Sequence, residues 1–116
     1  MRRIEHFAVG VANGSTEMFS AFESGGPMWT GHGPRVETRF VRFDEEFVEP
    51  PVVHVGLSMW DIACHANQRA DIRAVNVTRQ GFDLQFRTWE DTRVARVRAD
   101  WMAIGPLRHA EDWDID

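Results

Sequence analysis

From Val94 to Ile104 the chain alternates: Ala95, Val97, Ala99, Trp101 and Ala103 fall on one side, and Val94, Arg96, Arg98 and Asp100 on the other. A period of two is the signature of a half-buried β-strand, because successive side chains leave opposite faces of the backbone. Phe82, Leu84 and Phe86 alternate with Asp83, Gln85 and Arg87 in the same way, as do Val53, Val55, Leu57 and Met59 with their neighbours. The latter run follows Pro50-Pro51, which cannot donate to a ladder and suits the mouth of a strand. Thr78-Arg79-Gln80-Gly81 reads as a tight connection, with Gly81 as the left-handed residue, joining Asp71–Val77 to Phe82–Thr88 as a hairpin. Val41 and Phe43 mark a fifth segment, and Ile4, Phe7 and Val9 a sixth.

Before residue 36 the glycines Gly10, Gly14, Gly25, Gly26, Gly31 and Gly33, with Pro27 and Pro34, spell turns and irregular loop, and Glu17–Glu23 offers at most one helical turn. This divides the chain into an N-terminal strand and Gly/Pro-rich loop (1–35), a strand-rich core (36–105) and an acidic tail (106–116). The tail's last six residues, four of them acidic, are expected to fray into solvent. Five or six short strands with turn signals between them and no long helix predict an all-β fold, an antiparallel β-sandwich of about six strands. Its expected core is Val53, Val55, Leu57, Ile72, Phe82, Leu84, Phe86, Val97 and Trp101.

Composition narrows the function. The chain has 116 residues, enough for one domain but not two. A net charge of -5 argues against a nucleic-acid binder held by phosphate contacts. No run approaches the roughly 20 apolar residues of a membrane helix, so no membrane insertion is expected. The start, Met1-Arg2-Arg3-Ile4-Glu5-His6, has no apolar stretch behind it and does not read as a secretory signal. The expectation is a soluble protein, cytoplasmic or released as part of a larger particle.

Little in the chain suggests catalysis. His6, His32, His54, His65 and His109 are scattered without metal-ligand spacing. Cys64 is the sole cysteine, and its neighbour His65 is expected to point to the opposite face and is no catalytic partner. Acids are plentiful, yet no pair stands out as a glycosidase couple. Neither enzymatic activity nor a cofactor is expected.

Binding chemistry is better represented. Trp89 falls out of phase with Phe82, Leu84 and Phe86, so it leaves the core side at the end of its strand. It is either a contact surface or a residue packed under a loop or interface. Arg69 follows the polar stretch Ala63–Gln68 and can brace that loop through Asp61, Asp71 or Asp91, offer donors to a ligand, or do both. Arg96, Arg98 and Asp100, with Arg87 and Arg73 brought near by pairing, predict one charged sheet face, either solvated or lining an assembly axis.

The order Phe47-x-x-Pro50-Pro51-Val52-Val53, Asp61, Asn67-x-Arg69, Asn76-Val77-Thr78-x-x-Gly81-Phe82, Thr88-Trp89 and Trp101-x-x-Ile104-Gly105 resembles the H-type lectin domain from about Arg39 to Gly105. That resemblance implies a six-stranded sandwich, a homotrimer with a hexamer as the larger alternative, and metal-free sugar sites in clefts between subunits. The implied ligands are glycans of the galactose or N-acetylgalactosamine type. Arg69 matches the family arginine that bonds sugar hydroxyls, and Trp89 the tryptophan beside the sugar. Glu90 stands where the animal members often carry His. The loop expected to complete the site, Gly31, His32 and Gly33, lacks the family's acid. The resemblance therefore implies a carbohydrate-binding protein, with cell adhesion as the setting. The alternative is a structural trimerisation or attachment module that keeps the fold without the sugar site.

Overall fold

A computed structural model describes residues 1–21 and 25–109. Six strands follow in order: β1 (Ala8–Ser20), β2 (Arg35–Arg42), β3 (Val52–Ile62), β4 (Asp71–Val75), β5 (Gly81–Thr88) and β6 (Val94–Leu107), with one helical turn, α1 (Pro27–Thr30), before β2. They form two antiparallel three-stranded sheets, ordered β1-β6-β3 and β2-β5-β4, so the all-β sandwich is as expected. Only β4 and β5 are neighbours both in sequence and in a sheet. Elsewhere the chain crosses between the layers, which ties both sheets to one core.

The central strands β5 and β6 supply that core. Phe82, Leu84 and Phe86 point inward from one sheet, and Val97, Ala99 and Ala103 from the other, all fully buried. Phe82 meets Trp101 edge to face with ring centroids 5.5 Å apart, and Phe43 meets Phe47 in the same manner at 5.0 Å. Val53, Val55, Leu57, Ile72 and Trp101 are partly buried against this cluster. Four of them lie on β3 and β4, whose position at the sheet edges limits their burial.

Several local expectations need correction. The strand expected at Ile4, Phe7 and Val9 begins instead at Ala8 and runs through Glu17 to Ser20, across residues that read as turns. Gly10 and Gly14 sit on its inner face because a Cβ there would collide with Leu107 and Trp101. They permit close packing in this strand and do not break it. Residues 22–24, the end of the proposed helical turn, lie outside the described residues, as does the Glu111–Asp116 tail. Pro106 and Leu107, assigned to that tail, belong to β6.

In the β4–β5 connection the left-handed residue is Asn76 (φ 53°), not Gly81. Gly81 is required because a Cβ would lie 2.3 Å from the Val41 carbonyl oxygen. Val94 is as buried as Ala95, since the register slips opposite Asp61 and Ile62 at the start of β6. The single charged face also divides. Arg96, Arg98 and Asp100 lie on the outside of β1-β6-β3, while Arg73 and Arg87 lie on the outside of β2-β5-β4.

Candidate functional site

The loops after β3, β5 and α1 meet at one end of the sandwich. β5 ends with Thr88 turned inward, its hydroxyl donating to the Arg69 carbonyl at 2.6 Å. The next residue, Trp89, therefore turns outward, and 38% of it is exposed. It borders a depression of about 500 Å³ on the outer face of β2 and β5, lined also by Pro34, Val36, Gln85 and Arg87. A tryptophan with Pro34 and Val36 supplies an apolar wall, and Gln85 and Arg87 supply donors.

Arg87 does not carry a free charge into this depression. Its Nε and Nη2 donate to Asp71 Oδ2 at 3.0 and 2.7 Å, and Arg73 donates to the same oxygen at 2.7 Å. The Arg87 hydrogen bond, with a second from Arg73, holds the Asp71 carboxyl below its usual range.

Arg69 pairs with Asp91, the last of its three candidate acids. Its Nη1 donates to Asp91 Oδ1 at 2.7 Å and to the Thr92 hydroxyl at 3.2 Å. Thr92 is fully buried and donates in turn to the Asn67 carbonyl, so the guanidinium is braced from both connecting loops. The Arg69 hydrogen bond lowers the Asp91 pKa, and the positive charge of His32 adds to the effect. Asp61, the remaining candidate, pairs with Arg96 at 3.3 Å.

Glu90 has a left-handed backbone, φ 57°, which is unfavourable for a residue with a side chain. Two bonds hold it there: its carbonyl accepts from the Gly33 N–H at 2.9 Å and from Arg35 Nη2 at 3.0 Å. Gly33 has φ 76°, a conformation glycine adopts without strain, and this lets the loop turn its N–H toward Glu90. Arg35 also donates to the carbonyls of Gly33, Met28 and Pro27 at 2.9, 3.1 and 3.4 Å. Burial lowers its pKa, and its partners are neutral oxygens of the backbone.

Thus Gly31–Gly33, Glu90, Asp91 and Arg69 gather within a single chain, with Trp89 adjoining them. Arg69, Glu90 and the glycine loop do not line the depression beside Trp89. Sequence reasoning missed Arg35 as the tie between the loops, and it missed Val36 and Gln85. Asp91 was visible only as a brace for Arg69; its position two residues after Trp89 was the available signal that it could supply the local acid. Cys64 and His65 also differ from expectation. They lie in a turn, where the opposite-face rule does not apply, with Sγ and Nδ1 3.6 Å apart.

The H-type lectin domain matches residues 38–104, more than half of the chain. The chain belongs to the H-type lectin domain family. A lectin domain binds carbohydrate, and this H-type lectin domain has the matching fold. It superposes on recombinant discoidin II of Dictyostelium discoideum with a TM-score of 0.75 at 25% identity, covering 91% of this chain and 41% of that one. Discoidin-2 of the same organism is 34% identical over 76 residues, 65% of this chain and 30% of that protein. The H-type lectin domain described here thus spans less than half the length of the discoidins. A protein of Fuscovulum blasticum, "ATP synthase subunits region ORF 7", is 56% identical over 109 residues, 94% of this chain and 95% of its own length. That name describes a genomic position and no activity. Among the described residues, no helix is long and apolar enough to cross a membrane.

Proposed function

We propose that the chain is a lectin whose sugar site is the Trp89 end of the sandwich, binding galactose or N-acetylgalactosamine-type glycans without a metal or chemical conversion. The observation that carries this reading is the outward turn of Trp89 beside a depression, next to the braced Arg69–Asp91 pair. Sugar recognition needs an apolar plane for the C–H face of a ring and fixed polar groups for its hydroxyls. Trp89 supplies the plane. Arg69 retains donors beyond those given to Asp91 and Thr92, and the Glu90 carboxylate accepts from vicinal hydroxyls. Asp91 takes the part of the acid missing from the Gly31–Gly33 loop, and a neighbouring subunit adds a wall to the cleft.

Assembly as a homotrimer fits the outer face of β1-β6-β3. The register sets Val11, Ile104 and Val52 in one row across three strands, with Val9 and Met102 adjoining, all exposed in the single chain. A contiguous apolar patch of this kind marks an association surface. Light scattering is expected to give three times the 13.4 kDa chain mass, and Ile104→Asp a smaller species. A wild-type monomer at micromolar concentration refutes the assembly.

The second reading, a structural attachment module, is favoured by the engagement of Arg69 with Asp91 and Thr92. Titration of wild type and Trp89→Ala against glycans chosen from an array, with and without chelator, separates the two. Binding on the order of millimolar per monosaccharide, lost in Trp89→Ala and indifferent to chelator, supports the lectin. Equal binding by both proteins removes Trp89 from the site.

A further inference from the structure

We propose that the crevice between the two sheets at the β1–β2 edge is a second saccharide-binding site, built for a sugar that carries a free ammonium group. It is independent of the Trp89 site. Arg35 and Arg42 begin and end β2, and a strand of that length separates the two sites by about 24 Å.

The crevice has a volume of about 310 Å³, near the lower end of small-ligand sites and suited to one or two sugar units. Its walls are the edge strand β1 from Gly10 to Asn13, the segment after β2 with Asp44 and Glu45, and Arg42. Phe47, Leu107 and Trp101 form its apolar side. Trp101 is held rigidly by its contacts with Phe82 and Phe43, and the absence of a side chain at Gly14 lets its indole reach the β1 edge. A fixed aromatic that spans from core to crevice gives a sugar ring an apolar surface with no ordering cost for the protein.

The polar groups are unusual for this molecule. Its arginines are mostly committed to carboxylates or carbonyls, as Arg79 is to neighbouring Glu46 at 2.6 Å. Arg42, Asp44 and Glu45 line one crevice, yet none has a side-chain hydrogen bond or ion pair among the described residues. The Trp101 indole N–H is likewise without a partner among them. Donors and acceptors are thus left open beside an aromatic surface. Two carboxylates against one guanidinium give the crevice a net negative charge, which disfavours uronates and phosphates and favours a cationic ligand. An ammonium would lie between Asp44 and Glu45, the ring against Trp101, and the hydroxyls toward Arg42.

The test compares D-glucosamine with N-acetyl-D-glucosamine by NMR on the labelled full chain, at slightly acidic pH where the hexosamine nitrogen is protonated. Glucosamine is expected to shift the amides of Gly10–Asn13 and the Trp101 indole N–H, with the N-acetyl sugar at least about tenfold weaker at those signals. The exposed double substitution D44N/E45Q should abolish this response, and Trp89→Ala should leave it intact. Equal responses to the two sugars, or shifts confined to the Trp89 end, overturn the proposal without requiring any variant to fold.

Discussion

Arg35→Leu is expected to loosen the Trp89 end of the molecule without unfolding it. The guanidinium makes three short bonds, to Gly33, Met28 and Glu90, and a longer one to Pro27. A net contribution of about 1 kcal/mol per good hydrogen bond totals roughly 3 kcal/mol. The bond to Glu90 is exposed and falls at the low end of that range, which leaves about 2 kcal/mol. Leucine keeps much of the packing of the aliphatic stem, so the loss falls on the loops. The Gly33 N–H bonds only the Glu90 carbonyl that Arg35 also holds, making it a local reporter. A local loss of about 2 kcal/mol predicts roughly 30-fold faster hydrogen exchange at Gly33. Exchange of the β5 amides should change much less. Arg35→Lys should fall between, because an ammonium cannot reproduce a planar fork reaching three separate carbonyls. Unchanged Gly33 exchange in Arg35→Leu would show that the loop is held by other contacts, and the account of this site would fail.

Leu84→Ala opens space between the rigid rings of Phe82 and Phe86 on the central strand, so urea denaturation should report a loss of about 2–5 kcal/mol, and a negligible loss refutes the register. Asp71 has a folded pKa below its ordinary value, so its arginine pairs add stability that is present above the ordinary carboxylate pKa and is lost as pH falls through the lower folded value. Asp71→Asn should therefore flatten the acid limb of a stability-versus-pH curve, and an unaltered limb counts against the pairing. Glu90→Gly relieves a left-handed backbone and should leave stability unchanged or raise it by about 1 kcal/mol while removing a sugar acceptor. A clear drop in melting temperature contradicts that assignment of strain.

What the sequence determined by itself was the alternation. β3, β5 and β6 were legible because one face of each is apolar and the other polar, and a period of two can be read locally. Phase alone also turned Trp89 outward, since Leu84, Phe86 and Thr88 share the inner face. β1 was not legible. Its inner positions Gly10, Ala12 and Gly14 are small because Leu107 and Trp101 fill the space from elsewhere, and that complementarity is encoded some ninety residues away. The division of the charged residues between two outer faces likewise depended on which strands share a sheet. The partner of Arg69 was open among three acids until the loops met, because an ion pair follows distance in space. Arg35 was invisible for the same reason: its acceptors are backbone carbonyls, which every residue carries, and only the tertiary fold brings four of them around one guanidinium.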